Sequence, residues 1–121
     1  MKQLISIFTL LFAMILISGN SFAQDAAEVD PDHYKVEFEN DEVRVLRITY
    51  GPGEKSVMHS HPEGVAVFLS DGSGIFTYPD GKTEETNFNS GLVVWTPGTT
   101  HQPENTGDTP FEVIQIEMKT K

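Results

Sequence analysis

The chain has no cysteine. That removes disulfides, thiolate metal ligands and cysteine nucleophiles together, so a small domain built from it must rely on its core, on association or on a bound metal. Positive charge is scarce: 8 lysines and arginines stand against 18 aspartates and glutamates, for a net charge of −10. A surface this acidic repels phosphate backbones and anionic lipid, which argues against nucleic acid and membrane surfaces as partners. There is no repeat of fixed period and no low-complexity segment. Beyond residue 23 there is also no long stretch with the 3.6-residue apolar period of a helix.

Only one long apolar run exists, from Leu4 to Ile17. Met1-Lys2 gives it a short positive start, and Ser21-Phe22-Ala23 places small residues at −3 and −1 of a cut before Gln24. Residues 1–23 are therefore expected to be a secretory signal peptide, and the mature chain to be periplasmic or secreted. An uncleaved N-terminal anchor is the competing reading of the same run. Cleavage leaves residues 24–121, 98 in all, enough for one domain with a single core. With Lys2 gone, seven basic residues face eighteen acidic ones and the net charge becomes −11. Gln24 to Pro31 is polar, acidic and small, so residues 24–33 are expected as a flexible leader and 34–121 as the folded domain.

The mature chain is made of short apolar runs divided by turn residues. Tyr34–Glu39, Val43–Tyr50, Ser56–His61, Val65–Leu69, Gly74–Tyr78, Thr83–Phe88, Leu92–Thr96 and Phe111–Met118 are the predicted strands. Asn40-Asp41, Gly51-Pro52-Gly53, Asp71-Gly72, Pro79-Asp80-Gly81, Asn89-Ser90-Gly91, Pro97-Gly98 and Asn105 to Asp108 are the turns. Strands at this spacing predict an all-β sandwich or barrel. Two of them, Val43–Ile48 and Leu92–Trp95, are apolar on both faces, as when one face lines an interior and the other is covered. Phe68, Phe76, Tyr78 and Trp95 are read as barrel packing.

Chemistry concentrates in the histidines. His59 and His61 are separated by one residue, and His101 follows forty positions after His61. On a strand, side chains at i and i+2 face the same way, with Cα atoms roughly 6.5 Å apart. Two imidazoles so placed can converge on one ion, and a third from a neighbouring strand completes a tripod. Three neutral imidazoles suit iron, manganese, zinc, nickel or copper and leave coordination positions open for chemistry. The bland reading, exposed or hydrogen-bonded strand histidines, would suffice for any one of them alone. It weakens when two share a strand face and the third sits in a matching turn-strand setting. His33, in Asp30-Pro-Asp-His33-Tyr, lies outside any such setting and is read as solvated or capping.

On these residues the chain resembles the cupins, small double-stranded β-helix barrels of jelly-roll type. The first cupin signature, Gly-x5-His-x-His-x3-Glu-x6-Gly, is met by Gly53, His59, His61 and Gly72, with Val65 at the glutamate position. The second, Gly-x5-Pro-x-Gly-x2-His-x3-Asn, is met by Gly91, Pro97, Gly98, His101 and Asn105, one residue short between proline and glycine. The resemblance implies an all-β double-stranded β-helix and a divalent transition metal on His59, His61 and His101. It also implies kinship with three-histidine non-heme iron dioxygenases acting on thiols or diketones. Glu63 is the candidate extra ligand, and Gln102 the candidate partner for an imidazole N–H, with Glu104 beside it. Asn105 is expected to stabilise its turn.

Two arginines, Arg44 and Arg47, are the only residues able to fork onto a substrate carboxylate, and a regular strand points them to opposite faces. A small, weakly polar substrate therefore fits better than an acid. The expected activity is metal-dependent and dioxygenase-like. The alternatives are a non-catalytic barrel that binds a small molecule or a structural metal, and a hydrolytic zinc centre. Pairing of edge strands into a homodimer is the association open to a domain this small.

Overall fold

The structure is a computed structural model that describes residues 24–120. The expected signal peptide, residues 1–23, lies outside the described residues. Among the described residues no helix is long and apolar enough to cross a membrane. A four-residue helix α1 (Ala26–Val29) is followed by nine strands: β1 (Tyr34–Glu39), β2 (Val43–Tyr50), β3 (His59–His61), β4 (Gly64–Phe68), β5 (Gly72–Thr77), β6 (Thr83–Phe88), β7 (Val93–Thr96), β8 (Thr99–Asn105) and β9 (Phe111–Met118).

The strands form two sheets, β1-β2-β9-β4-β7 and β3-β8-β5-β6. Every named pair is antiparallel. This is the all-β double-stranded β-helix that the signatures implied. Turn chemistry sets the corners. Asn40 closes the first hairpin by accepting hydrogen bonds from the N–H groups of Glu42 and Val43 at 2.8 and 2.9 Å, the local bonding that makes Asn a turn residue. Gly53, with φ +76°, begins the segment that runs alongside β8.

The interior is organised by β9, which lies between β2 and β4. Its inward residues Phe111, Val113, Gln115 and Glu117 alternate with half-buried ones, as the two-residue strand period requires. They pair with Tyr50, Ile48, Leu46 and Arg44 of β2. At Gly64 the strands approach so closely that a Cβ would sit 1.9 Å from the carbonyl oxygen of Ile116. Only glycine allows this pairing.

Three expectations change. Residues 24–33 are not a loose leader: Ala26 is fully buried, and Asp25 forms an isolated bridge with Ser60. Small size and acidity suggested mobility, but a buried alanine and a paired aspartate hold the segment down. Strand β8 was not among the predicted strands, because Thr-Thr-His-Gln-Pro-Glu-Asn carries a proline and little apolar signal. Trp95 is 58 % exposed rather than core.

Candidate metal centre

Strand β3 pairs with β8 so that His59 lies opposite His101 and His61 opposite Thr99. The two-residue period of β3 turns both its histidines inward, where they are buried. The three imidazoles meet edge-on, with ring centroids 4.8 Å (His59–His61), 5.0 Å (His59–His101) and 5.4 Å (His61–His101) apart. One nitrogen from each lies within 4.8 Å of the other two. A common point therefore exists within about 2.8 Å of all three, a short adjustment from the roughly 2.0–2.1 Å of a zinc–imidazole bond.

The hydrogen bonds decide which nitrogens are free. His59 Nδ1 is 2.9 Å from the carbonyl oxygen of Val57 and 2.9 Å from Ser56 Oγ, which donates its own proton to Val57 at 2.6 Å. A carbonyl can only accept, so Nδ1 carries the proton and Nε2 keeps its lone pair. That Nε2 is buried with no hydrogen-bond partner. His61 is fixed the same way: its Nδ1 donates to Glu117 Oε2 at 2.7 Å. Such bonds orient an imidazole for metal binding and leave the far nitrogen available. His101 rests against the ring of Phe76, centroids 5.2 Å apart.

Electrostatics keep His59 and His101 neutral. Burial, reinforced by the neighbouring His61, pushes His59 down to about 4 from the usual 6.5. Burial followed by His61 and His59 pushes His101 down to about 3. Protonating either ring would place a charge in a low-dielectric interior beside its neighbours. Both are unprotonated at neutral pH, the form a metal requires. An orphaned buried nitrogen, two fixed tautomers and depressed basicity together make the donor set fit a divalent transition ion.

Glu63 and Gln102 are not in this group of three. Glu63 is exposed just after β3, and Gln102 points away from the histidine face of β8 by strand alternation. The carboxylate that meets an imidazole is Glu117, fifty-six positions from His61 in sequence, a distance no local pattern could bridge. At the signature's glutamate, Val65 pairs with Trp95 and Ile116, while the next residue, Ala66, is buried and faces the cavity. Neither supplies a carboxylate. Asn105 behaves as expected: its amide donates to the carbonyls of Tyr50 and Thr109, and its Oδ1 accepts from Gly107 N–H. His33 stacks on Tyr50 at 4.3 Å and bonds to Asp30, outside the cluster.

A cavity of about 310 Å³, open to solvent, reaches the centre along His101. Its walls are chiefly apolar and aromatic, including Phe68, Phe76, Phe88, Tyr78 and Trp95. Neither arginine lines it. Arg44 is bound to Asp25 and Glu117, and Arg47 to Glu37 and Glu112.

No curated protein matches the chain. Among solved structures, a cupin domain from Bordetella pertussis Tohama I is 27 % identical, with a TM-score of 0.67 over 72 % of this chain and 92 % of that one. A Cupin 2 conserved barrel domain protein from Salinispora arenicola CNS-205 is 22 % identical, with a TM-score of 0.56 over 76 % and 80 %. A protein with a double-stranded β-helix domain from Klebsiella pneumoniae is 21 % identical, with a TM-score of 0.55 over 73 % and 84 %. The cupin domain family itself matches residues 46–117, more than half of the sequence and all three clustered histidines, so this chain belongs to the cupins.

Proposed function

We propose that this protein is an exported cupin that holds a divalent first-row transition metal on His59, His61 and His101 and receives a small, weakly polar organic molecule in the adjoining cavity. The observation that carries this reading is the buried Nε2 of His59, left without a hydrogen-bond partner among three converging imidazoles. A buried polar atom without a partner costs free energy, and a metal removes that cost. When bound, the ion supplies Lewis acidity or oxygen activation at its open positions. The protein's own part is to hold each imidazole in one tautomer and to surround the approach with apolar side chains that limit water. Absence of lysine or arginine from the cavity wall disfavours substrates that bind through a carboxylate.

The test is metal content. Purified protein should carry close to one equivalent of a first-row metal, and His61→Ala should lose it. Unchanged metal content in that variant removes the basis of the reading.

A non-catalytic binding barrel is favoured by one observation: neither Val65, at the signature's glutamate position, nor the cavity-lining Ala66 beside it supplies a carboxylate to the three histidines. Thermal-shift screening separates the two. Stabilisation by an organic ligand in metal-stripped protein supports the binding module, whereas stabilisation that needs the metal supports the metal centre.

A further inference from the structure

The family match begins at residue 46, yet the polar contacts that reach the histidines begin at the first described residues. The carbonyl of Gln24 accepts a 2.8 Å hydrogen bond from the N–H of Ser60, the residue between His59 and His61. Asp25 bridges Ser60 in parallel register, and helix α1 lies against β1 and β3 with Ala26 fully buried. Strand β3 has only three residues and one ladder partner, β8. The segment beginning at Gln24 covers its other edge.

A second line of contacts runs through side chains. Asp25 takes the guanidinium of Arg44 with both oxygens, Nη1 to Oδ2 at 3.0 Å and Nη2 to Oδ1. Arg44 Nε donates to Glu117 Oε1 at 2.8 Å, and the other oxygen of Glu117 accepts from His61 Nδ1 at 2.7 Å. Glu117 is 2 % exposed. Each of its oxygens has a different partner, so its plane is set jointly by Arg44 and His61. Arg44 in turn is held between two carboxylates. His59 takes no part in this line, since its Nδ1 is held by Val57 and Ser56.

We infer that residues 24–30 form a strap that tunes the metal site, with Asp25 acting through Arg44 and Glu117 as a positioning residue for His61. The inference rests on the metal reading above. It makes the two β3 histidines unequal: one depends on the strap through side chains, and the other is fixed within its own turn. Removing the Asp25 charge releases one end of Arg44, and the guanidinium then holds Glu117 less firmly.

The experiment compares protein made from the full-length sequence with Asp25→Asn, Asp25→Ala and, as a control, Glu37→Gln, which alters only the exposed pair with Arg47. Zinc affinity is measured by calorimetry, and imidazole N–H signals are recorded by NMR in metal-free protein. Loss of a direct outer partner weakens metal binding about 10- to 100-fold, so one step further out Asp25→Asn should weaken it about 3- to 10-fold, and Asp25→Ala more. The His61 Nδ1–H signal should exchange faster in both Asp25 variants while that of His59 stays unchanged, and Glu37→Gln should alter neither. Wild-type affinity with an unchanged His61 signal in Asp25→Asn overturns the inference. So does equal disturbance of both histidines, which marks general loosening. Absence of zinc binding by the unsubstituted chain overturns the metal reading instead, and the NMR signals then still decide whether Asp25 holds His61.

Discussion

Strand β9 crosses the interior from Phe111 to Glu117, and its two ends are stabilised by different physics. At Phe111 the neighbours are aromatic: Phe111 lies 5.3 Å from Tyr50 and meets Phe88 edge-on at 5.1 Å. Such contacts depend mainly on buried apolar area, with only a weak preference for ring geometry, and they survive small shifts. At Glu117 the neighbours are Arg44 and His61, bonded at fixed angles and short distances. There a buried charge is tolerated only because each oxygen has a donor. The aromatic end supplies stability, and the charged end supplies geometry.

If that division holds, Phe111→Ala should cost about 3–5 kcal/mol in denaturant unfolding, the usual range for truncating a buried phenylalanine, while zinc stoichiometry stays unchanged. Loss of zinc binding in a still-folded Phe111→Ala would show that the two ends are not separable.

Acid attacks the histidine end. His59 and His101 titrate at about 4 and about 3 in the folded protein, below the usual 6.5. Between those values the unfolded chain binds more protons than the folded one, so stability rises with pH in that window. Metal-free protein should hold its full histidine contribution above about pH 6.5 and lose it progressively as pH falls toward 4 and then 3. The slope reaches up to about 1.4 kcal/mol per pH unit for each ring. Unfolding midpoints that fall less steeply from pH 7 to 5 in His59→Gln than in the unsubstituted protein, with the remaining slope due to His101, would sharpen the assignment. A flat profile in both would contradict it.

The smallest change, Glu117→Gln, keeps the shape of the side chain but leaves Arg44 or His61 without its acceptor oxygen. Zinc affinity should drop about 10- to 100-fold. Calorimetric titration showing an unaltered affinity would mean that Glu117 serves folding alone.

Much of this was legible in the chain. Strands β1, β2, β6 and β9 lie at the bounds predicted from the chain: β2 and β9 carry a strong apolar signal, whereas the mostly exposed β1 and β6 are delimited by the turn residues that flank them. The His-x-His pair and the Pro-Gly turn before His101 picked out the three imidazoles that converge. Strand β8 was missed because its pairing with β3 and β5 comes from register rather than side-chain pattern. Glu63 and Gln102 are near the histidines only in sequence, which is a poor guide in a barrel whose contacts are mostly between distant strands. Trp95 was assigned to the core on residue type alone, and the edge position of β7 left it half open.

The sequence by itself determined the strand periodicity, the turns and the pairing of His59 with His61 on one face. These are local consequences of backbone geometry, and a few neighbouring residues suffice to specify them. Only the tertiary structure decided that Glu117 rather than Glu63 meets His61, that Ala66 rather than Val65 faces the cavity, and that Asp25 reaches the same network. Those facts depend on the register between strands remote in sequence, which is set when the whole interior closes and buried charged groups such as Glu117 take their partners.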